Sequence, residues 1–272
     1  AQYIRVPASW ALACPAGLGP RESMLFGTAG LTAQLCINKL LRMGLSPDQG
    51  QVLVTGATGY VGNFVTKIKS DRGNSEIKHG AAIIAVGADA YKPTEYLYGQ
   101  DERVLTNLEL EERIFNADEN LKNARSLVMI QCVGCRQEDR NYCARICCNQ
   151  SIKNALRLKQ LNPQMDIYIL FRDIRTYGFA EDYYREASDN DVRFIRWEPT
   201  DKPQVEAVES EGRPVLRVVV TDPILGQKLA IDADYLALAA AVIPPVGARK
   251  LAQQFKVSLG PDGFFKEAHV KL

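Results

Sequence analysis

The spacing of apolar positions changes several times along the chain, and each change marks an element. Leu127-Val128-Met129-Ile130-Gln131 is a short, almost wholly apolar run, as expected of a strand buried on both faces. From Ala144 to Leu161 the apolar residues Ile152, Ala155, Leu156 and Leu158 recur at helical spacing, predicting a helix. Asp166 to Phe171 then reads as a strand, Ala180 to Ser188 as a helix and Val192 to Arg196 as a third strand. Val215 to Val220 and Lys228 to Ile231 are expected to form a hairpin around Asp222-Pro223, with Tyr235 to Val242 as the strand that closes the sheet. Strands alternating with helices imply the α/β class, a parallel sheet carrying helices on its faces.

The N-terminal part reads differently. A helix is expected from Pro20 to Met43, with Leu31, Leu35, Leu40 and Leu41 as its apolar face and an interruption at Gly27-Thr28-Ala29-Gly30. Gln51 to Thr55 is a buried strand leading into Gly56-Ala57-Thr58-Gly59-Tyr60-Val61-Gly62. A glycine-rich turn after a strand can bring backbone N–H groups against a pyrophosphate. The residues beyond this turn do not have a helical period. Tyr60 to Ile68 alternates as a strand, Asp71-Arg72-Gly73-Asn74 supplies a turn, and Ile77 to Ile84 returns, so a hairpin stands where a dinucleotide site needs a helix N-terminus.

Composition narrows the classes. The chain has 272 residues, room for one large or two ordinary domains, and 46% of them are hydrophobic. Its 33 basic and 32 acidic residues leave no charge imbalance that would favour nucleic acid or anionic lipid. The longest apolar run, Tyr235 to Val242, is too short to span a bilayer, and no basic segment followed by an apolar one marks the N-terminus. A soluble cytoplasmic chain is expected.

The chemistry concentrates in one stretch. Five of the seven cysteines fall between Cys132 and Cys148, in the loop after the first apolar run and the start of the helix beyond it. Cys132, Cys143, Cys147 and Cys148 have the spacing C-x10-C-x3-C-C, which is neither a zinc ribbon nor the run of a bacterial ferredoxin. Adjacent cysteines cannot both ligate one small tetrahedral ion without strain. A cubane with separated irons can take both, so a [4Fe–4S] cluster is the favoured reading, with a zinc or redox site and structural thiols as alternatives. Cys135 is spare or a substitute ligand, and the isolated Cys14 and Cys36 read as buried small hydrophobes. Arg145 and Lys153, on the same helix, are cations that would raise the potential of an anionic cluster.

Two resemblances add to this. Val6-Pro7, the proline–glycine turn, Phe26-Gly27-Thr28-Ala29-Gly30-Leu31-Thr32-Ala33 and Val52 to Gly59 are similar to the medium-chain dehydrogenase/reductase superfamily, in its quinone oxidoreductase and acryloyl-CoA reductase branch. That resemblance implies a partial Rossmann-like segment in residues 1–57, with Gly56, Gly59 and Gly62 on the phosphates of NADPH. From about Tyr60 onward the chain resembles the family of heterodisulfide reductase A subunits, through Gly59 to Phe64, His79 to Ala88, Tyr91 to Gly99, Val104 to Glu111, the cysteine stretch, Phe171 to Gly178 and Thr221 to Gly226. The join makes the chain look chimeric.

The second resemblance implies a thioredoxin-reductase-like FAD/NAD(P)-binding fold, here incomplete. Residues 58–120 and 244–272 would be a partial FAD-type domain, and residues 121–243 a Rossmann-like domain carrying the cluster. It implies FAD near Val86, Gly87 and Ala88, on an apolar strand that ends at the glycine, with Glu109 also on the flavin, Lys153 beside it, and an acidic residue of Leu108-Glu109-Leu110-Glu111 as the partner of Lys153. Arg172, Arg175 and Tyr177 would line a partner surface. The implied partners are the B and C subunits of heterodisulfide reductase, a hydrogenase or formate dehydrogenase module, and ferredoxin. The rival readings are an NADPH-dependent quinone or enoyl reductase and a non-catalytic interaction module.

Overall fold

The computed structural model describes residues 53–60, 63–70, 73–80, 82 and 84–266. The chain divides into two compact units, residues 1–86 and 87–272.

In the first unit β1 (Leu53–Tyr60), β2 (Asn63–Ser70) and β3 (Gly73–His79) form an antiparallel sheet in the order β1-β2-β3. The antiparallel pairing of β2 with β3 is the one expected. The glycine-rich turn is not. Gly56 lies opposite Lys67 and Gly59 opposite Phe64, both inside β1, so their backbone follows a ladder rather than a phosphate-binding loop before a helix. The NADPH reading of these glycines is thereby corrected; Gly62, with the expected helix over residues 20–43, lies outside the described residues. β3 stops at His79, and Ile84 to Ala88 form no strand, so Val86, Gly87 and Ala88 are irregular, exposed backbone instead of the expected strand end.

The second unit is built on a five-stranded sheet in the order β5-β12-β6-β7-β8, with every neighbour parallel. Its strands are β5 (Val104–Thr106), β6 (Ser126–Val133), β7 (Asp166–Phe171), β8 (Val192–Arg196) and β12 (Tyr235–Ala240). The expected closing strand, β12, is internal: β5 takes the edge, drawn from residues assigned by sequence to the partial FAD-type domain. Helices α1 (Asn107–Phe115), α3 (Cys147–Leu161) and α4 (Ala180–Asp189) connect the strands, with a single turn, α2 (Glu119–Lys122), before β6. This is an α/β Rossmann-type fold.

The period of two along β6 assigns its faces. Leu127 and Met129 pack with Leu110, Ile152, Leu158, Ile167 and Ile169 on the helical side, while Val128 and Ile130 pack with Leu216, Val218, Leu236 and Leu238 on the other. The second face is covered by an antiparallel sheet, β9 (Gln204–Ser210), β10 (Arg213–Asp222) and β11 (Gln227–Ala233), in the order β11-β10-β9. The sequence showed the β10–β11 hairpin but not β9. A two-stranded ribbon of β4 (Asp89–Ala90) and β13 (Val242–Ile243), and helix α5 (Ala248–Phe255), complete the unit. Among the described residues no helix is long and apolar enough to cross a membrane.

Candidate metal centre

β6 delivers its last residues to the carboxyl edge of the sheet, where open α/β folds place their ligands. There Cys132 adopts a φ of +65°, and Cys135 N–H donates to Cys132 carbonyl oxygen at 3.4 Å, closing a four-residue turn. Gly134 sits third in that turn at φ +75°, the left-handed value a type II turn asks of glycine. Its face is covered by the Tyr91 ring, which in turn lies under the Arg140 guanidinium at 4.4 Å, and Arg140 Nε donates to Gly134 carbonyl oxygen at 2.6 Å. Arg136 N–H to Tyr142 carbonyl oxygen (3.0 Å) and Tyr142 hydroxyl to Val242 carbonyl oxygen (2.7 Å) tie the rest of the loop to β13.

The loop brings all five thiols into one corner. Cys135, Cys147 and Cys148 are buried, Cys132 and Cys143 half-buried, and none forms a disulfide. Cys147 and Cys148 occupy the first turn of α3, whose N-terminus has no side-chain cap, so the helix dipole favours negative charge there. Burial pushes the Cys147 thiol up to about 12, and the neighbouring Cys148, Cys132 and Cys143 add to the shift. Cys148 is raised by burial as well. Cys135 donates a hydrogen bond to Cys132, which holds Cys132 below the ordinary thiol value and Cys135 above it.

Hydrogen-bond donors surround the sulfurs. The backbone N–H of Arg145 reaches Cys143 Sγ at 3.3 Å, those of Ala144 and Arg175 reach Cys135 and Cys148, and Arg136 Nη1 lies 3.9 Å from Cys132 Sγ. Arg136 is itself paired with Asp173, and Arg172 donates to Arg136 carbonyl oxygen at 2.8 Å while covering the Trp197 ring. Sequence reasoning missed Arg136 and Asp173 and saw in Arg172 and Arg175 only a partner surface. Arg172 is committed inward, and Arg175 pairs with Asp173, leaving Tyr177 exposed. Arg145 precedes the helix and contributes its N–H.

This donor set suits a polynuclear group. Cys147 and Cys148, whose ionisation burial opposes, become thiolates together when a bound cation compensates. Among the described residues no three Cys, His, Asp or Glu side chains converge on a single metal ion. The thiols come from the loop and from the first turn of α3, and N–H donors at sulfur are among the groups that tune an iron–sulfur cluster.

Lys153, one turn beyond the cysteines on α3, pairs with Glu111 of α1 at 2.6 Å. Glu109 is not its partner. Its carboxylate accepts from the N–H and hydroxyl of Thr106, the N-cap of α1, at 2.7 and 2.9 Å and from Tyr98 hydroxyl at 2.8 Å, so it serves the fold. Between the cysteine helix and β6 lies a buried polar cluster in which Ser151 Oγ accepts from Asn107 Nδ2 (2.7 Å) and Gln131 Nε2 (2.6 Å). Gly87, at φ +63°, has open space where a Cβ would stand.

A parallel α/β sheet with a thiol corner at its carboxyl edge defines a Rossmann-type protein with a candidate redox or metal site there. No family model matches the chain. It is 39% identical over 213 residues to the iron–sulfur A subunit of CoB–CoM heterodisulfide reductase from Methanocaldococcus jannaschii, covering 72% of this chain and 32% of the relative. The A subunit of the H2/formate:CoB–CoM heterodisulfide, ferredoxin reductase of Methanococcus maripaludis is 38% identical with the same coverage. The corresponding H2-dependent protein of Methanothermobacter thermautotrophicus is 36% identical, covering 72% of this chain and 31% of the relative. The chain is heterodisulfide reductase A-subunit-like, and it spans about a third of the length of these curated relatives. The medium-chain dehydrogenase resemblance of residues 1–57 gains no support from these relatives. Similar solved structures include the thioredoxin reductase of Lactococcus lactis (TM-score 0.46, 17% identity, 81% of this chain and 61% of that one). Another is an NAD-dependent persulfide reductase from A. fulgidus (TM-score 0.39, 20% identity, 78% and 34%).

Proposed function

We propose that the chain is the electron-transfer section of a cytoplasmic flavoprotein of the heterodisulfide reductase A-subunit type, with Cys132, Cys143, Cys147 and Cys148 holding a [4Fe–4S] cluster. The observation that carries this is the gathering of the loop and helix thiols in one corner, with backbone N–H and guanidinium donors around the sulfurs. The cluster and FAD would supply single-electron and paired-electron transfer when bound.

The chain's own residues do the rest. Cys132 and Cys143 would grip from the loop, Cys147 and Cys148 from the helix N-terminus. Arg136 and Arg172 balance the negative charge of the ligand set, and the N–H donors stabilise added negative charge, which raises the potential. Lys153, held by Glu111, is the cation we assign to the flavin side, and the open backbone at Gly87 leaves room for a flavin to approach. Residues 58–120 with 244–272 would form the FAD-type part and 121–243 the cluster-bearing part. The partners we infer are the B and C subunits of heterodisulfide reductase, a hydrogenase or formate dehydrogenase module, and ferredoxin.

Anaerobic reconstitution followed by iron and acid-labile sulfide analysis tests the reading. About four of each per chain are expected, falling sharply in Cys143→Ser or Cys147→Ser. Zinc alone, or no metal at all in the reconstituted chain, would overturn it.

A further inference from the structure

The assigned ligands leave Cys135 without a role, although it is as buried as any of them. It is not isolated. Cys132-Val133-Gly134-Cys135 is a C-x-x-C sequence folded into a hydrogen-bonded turn, with Cys135 N–H on Cys132 carbonyl oxygen at 3.4 Å and the Cys135 thiol hydrogen-bonded to the Cys132 sulfur. The ends of such a turn have Cα atoms under ~7 Å apart, inside the range a disulfide can bridge. Gly134 at φ +75°, clamped by Tyr91 and Arg140, keeps the turn closed.

We propose that Cys132 and Cys135 form a redox-active dithiol that closes to a disulfide when the cluster is absent, withdrawing Cys132 from the ligand set. The co-reactant is a small-molecule disulfide such as oxidised glutathione. The Cys132 thiolate attacks one of its sulfurs, releasing one thiol and leaving a mixed disulfide. Cys135 then attacks the Cys132 sulfur, the second small thiol leaves, and the Cys132–Cys135 bond forms. The pair loses two electrons and two protons, and the oxidant is reduced to two thiols. Cys132 Sγ faces Arg136 Nη1 at 3.9 Å and is the less buried of the two sulfurs, which suits it to the first attack. A dithiol reductant reverses the sequence and returns the ligand, so cluster assembly becomes conditional on a reducing compartment. The inference rests on the proposed cluster only for what the disulfide withdraws; formation of the bond is independent of it.

The sequence makes the test direct. Tryptic cleavage after Arg125 and Arg136 puts Cys132 and Cys135 together on the peptide Ser126–Arg136, while Cys143 falls on Asn141–Arg145 and Cys147 with Cys148 on Ile146–Lys153. The full chain, reconstituted and then either left loaded or stripped by a chelator, is treated with oxidised glutathione, alkylated and digested. In the stripped protein Ser126–Arg136 is expected to be lighter by two hydrogens and closed to alkylation. In the loaded protein the same change should appear only as the visible absorption of the cluster is lost. Cys135→Ser should stop the reaction at a glutathione adduct on Cys132 while retaining iron and sulfide. Stripped chain unfolded in urea should lose the preference for this pair.

Three outcomes would overturn the proposal: a fully alkylated Ser126–Arg136 peptide in oxidised, stripped protein, Cys132 joined instead to one of the other peptides, or loss of iron binding in Cys135→Ser, which would make Cys135 a ligand. A chain that never binds iron but still closes the disulfide would sink the cluster and spare the dithiol.

Discussion

Gly134→Ala is the most exacting test of how the thiol corner is held. An added Cβ would fall well inside contact distance of Cδ1 and Cε1 of the Tyr91 ring, a ring pinned under Arg140, while the backbone would have to keep φ at +75°. The left-handed conformation costs a non-glycine residue about 1–2 kcal/mol, and overpacking a filled site about 1–3 kcal/mol more. The sum, about 2–5 kcal/mol, is a large share of an ordinary domain's stability of about 5–15 kcal/mol. Tyr91→Ala opens the space but leaves the backbone term, so in that background Gly134→Ala should cost only about 1–2 kcal/mol. Urea unfolding of the apoprotein, followed by the fluorescence of buried Trp197 with Trp10 replaced by Phe, reads all four corners of the cycle. Iron content should fall in Gly134→Ala and recover in part in the double variant. Equal cost in both backgrounds would show that Tyr91 does not close the turn, and a cost under about 1 kcal/mol would refute the strained φ itself.

Ser151→Ala strips the shared acceptor from the buried amides of Asn107 and Gln131; at about 1–3 kcal/mol for each donor left unpaired, the apoprotein should unfold at clearly lower urea, and an unchanged midpoint would dissolve the network. Asp232 is lowered from 3.8 to about 2, chiefly by hydrogen bonding from Arg217 and then from Ser210. A depressed carboxylate stabilises fully above its unfolded value and loses that contribution as pH falls toward the folded one. Asp232→Asn should therefore flatten the acid side of the stability curve below about pH 4 while leaving the decline elsewhere unchanged, and identical acid unfolding in the two proteins would count against the pair. Lys153→Met breaks an ion pair exposed on both sides, so its stability should shift by less than about 1 kcal/mol, whereas the potential of bound flavin should drop; a flavin unaffected by the change removes Lys153 from the redox site.

Parts of this fold were readable because burial leaves a direct trace. β7 and β8 occupy the positions their runs indicate: β7 buries Ile167, Ile169 and Leu170, while β8, at the edge of the sheet, buries Val192 and leaves Arg193 and Arg196 exposed. β9, Gln204–Ser210, did not stand out because it is the edge strand of its small sheet, has no fully buried residue and carries glutamates among short side chains. The place of β12 inside the sheet was not readable at all. Strand order depends on which edge a three-residue strand such as β5 takes, and that is decided by packing of α1 rather than by any local pattern. Gly56 and Gly59 misled for a related reason: glycines permit a turn without requiring one, and here pairing with Lys67 and Phe64 draws them into a strand.

The candidate site divides along the same line. The cysteines could be found by counting, because ligands that share one corner are local in sequence. The arginines could not, because they arrive through the register of parallel strands: Ile130 stands beside Leu170, so the residues that leave β6 must meet those that leave β7, and Arg136 meets Arg172 and Asp173. The choice between Glu109 and Glu111 as partner of Lys153, left open by the resemblance, is a different case, for a local signal was present. Thr106-Asn107-Leu108-Glu109 has the spacing of a capping box, in which the fourth residue must turn back to the helix N-terminus. A glutamate held by Thr106 and Tyr98 has no freedom to reach another helix, whereas Glu111 has no part in the cap and is left to meet Lys153 on α3. Local backbone demand thus determines which acidic residue of α1 is available for chemistry.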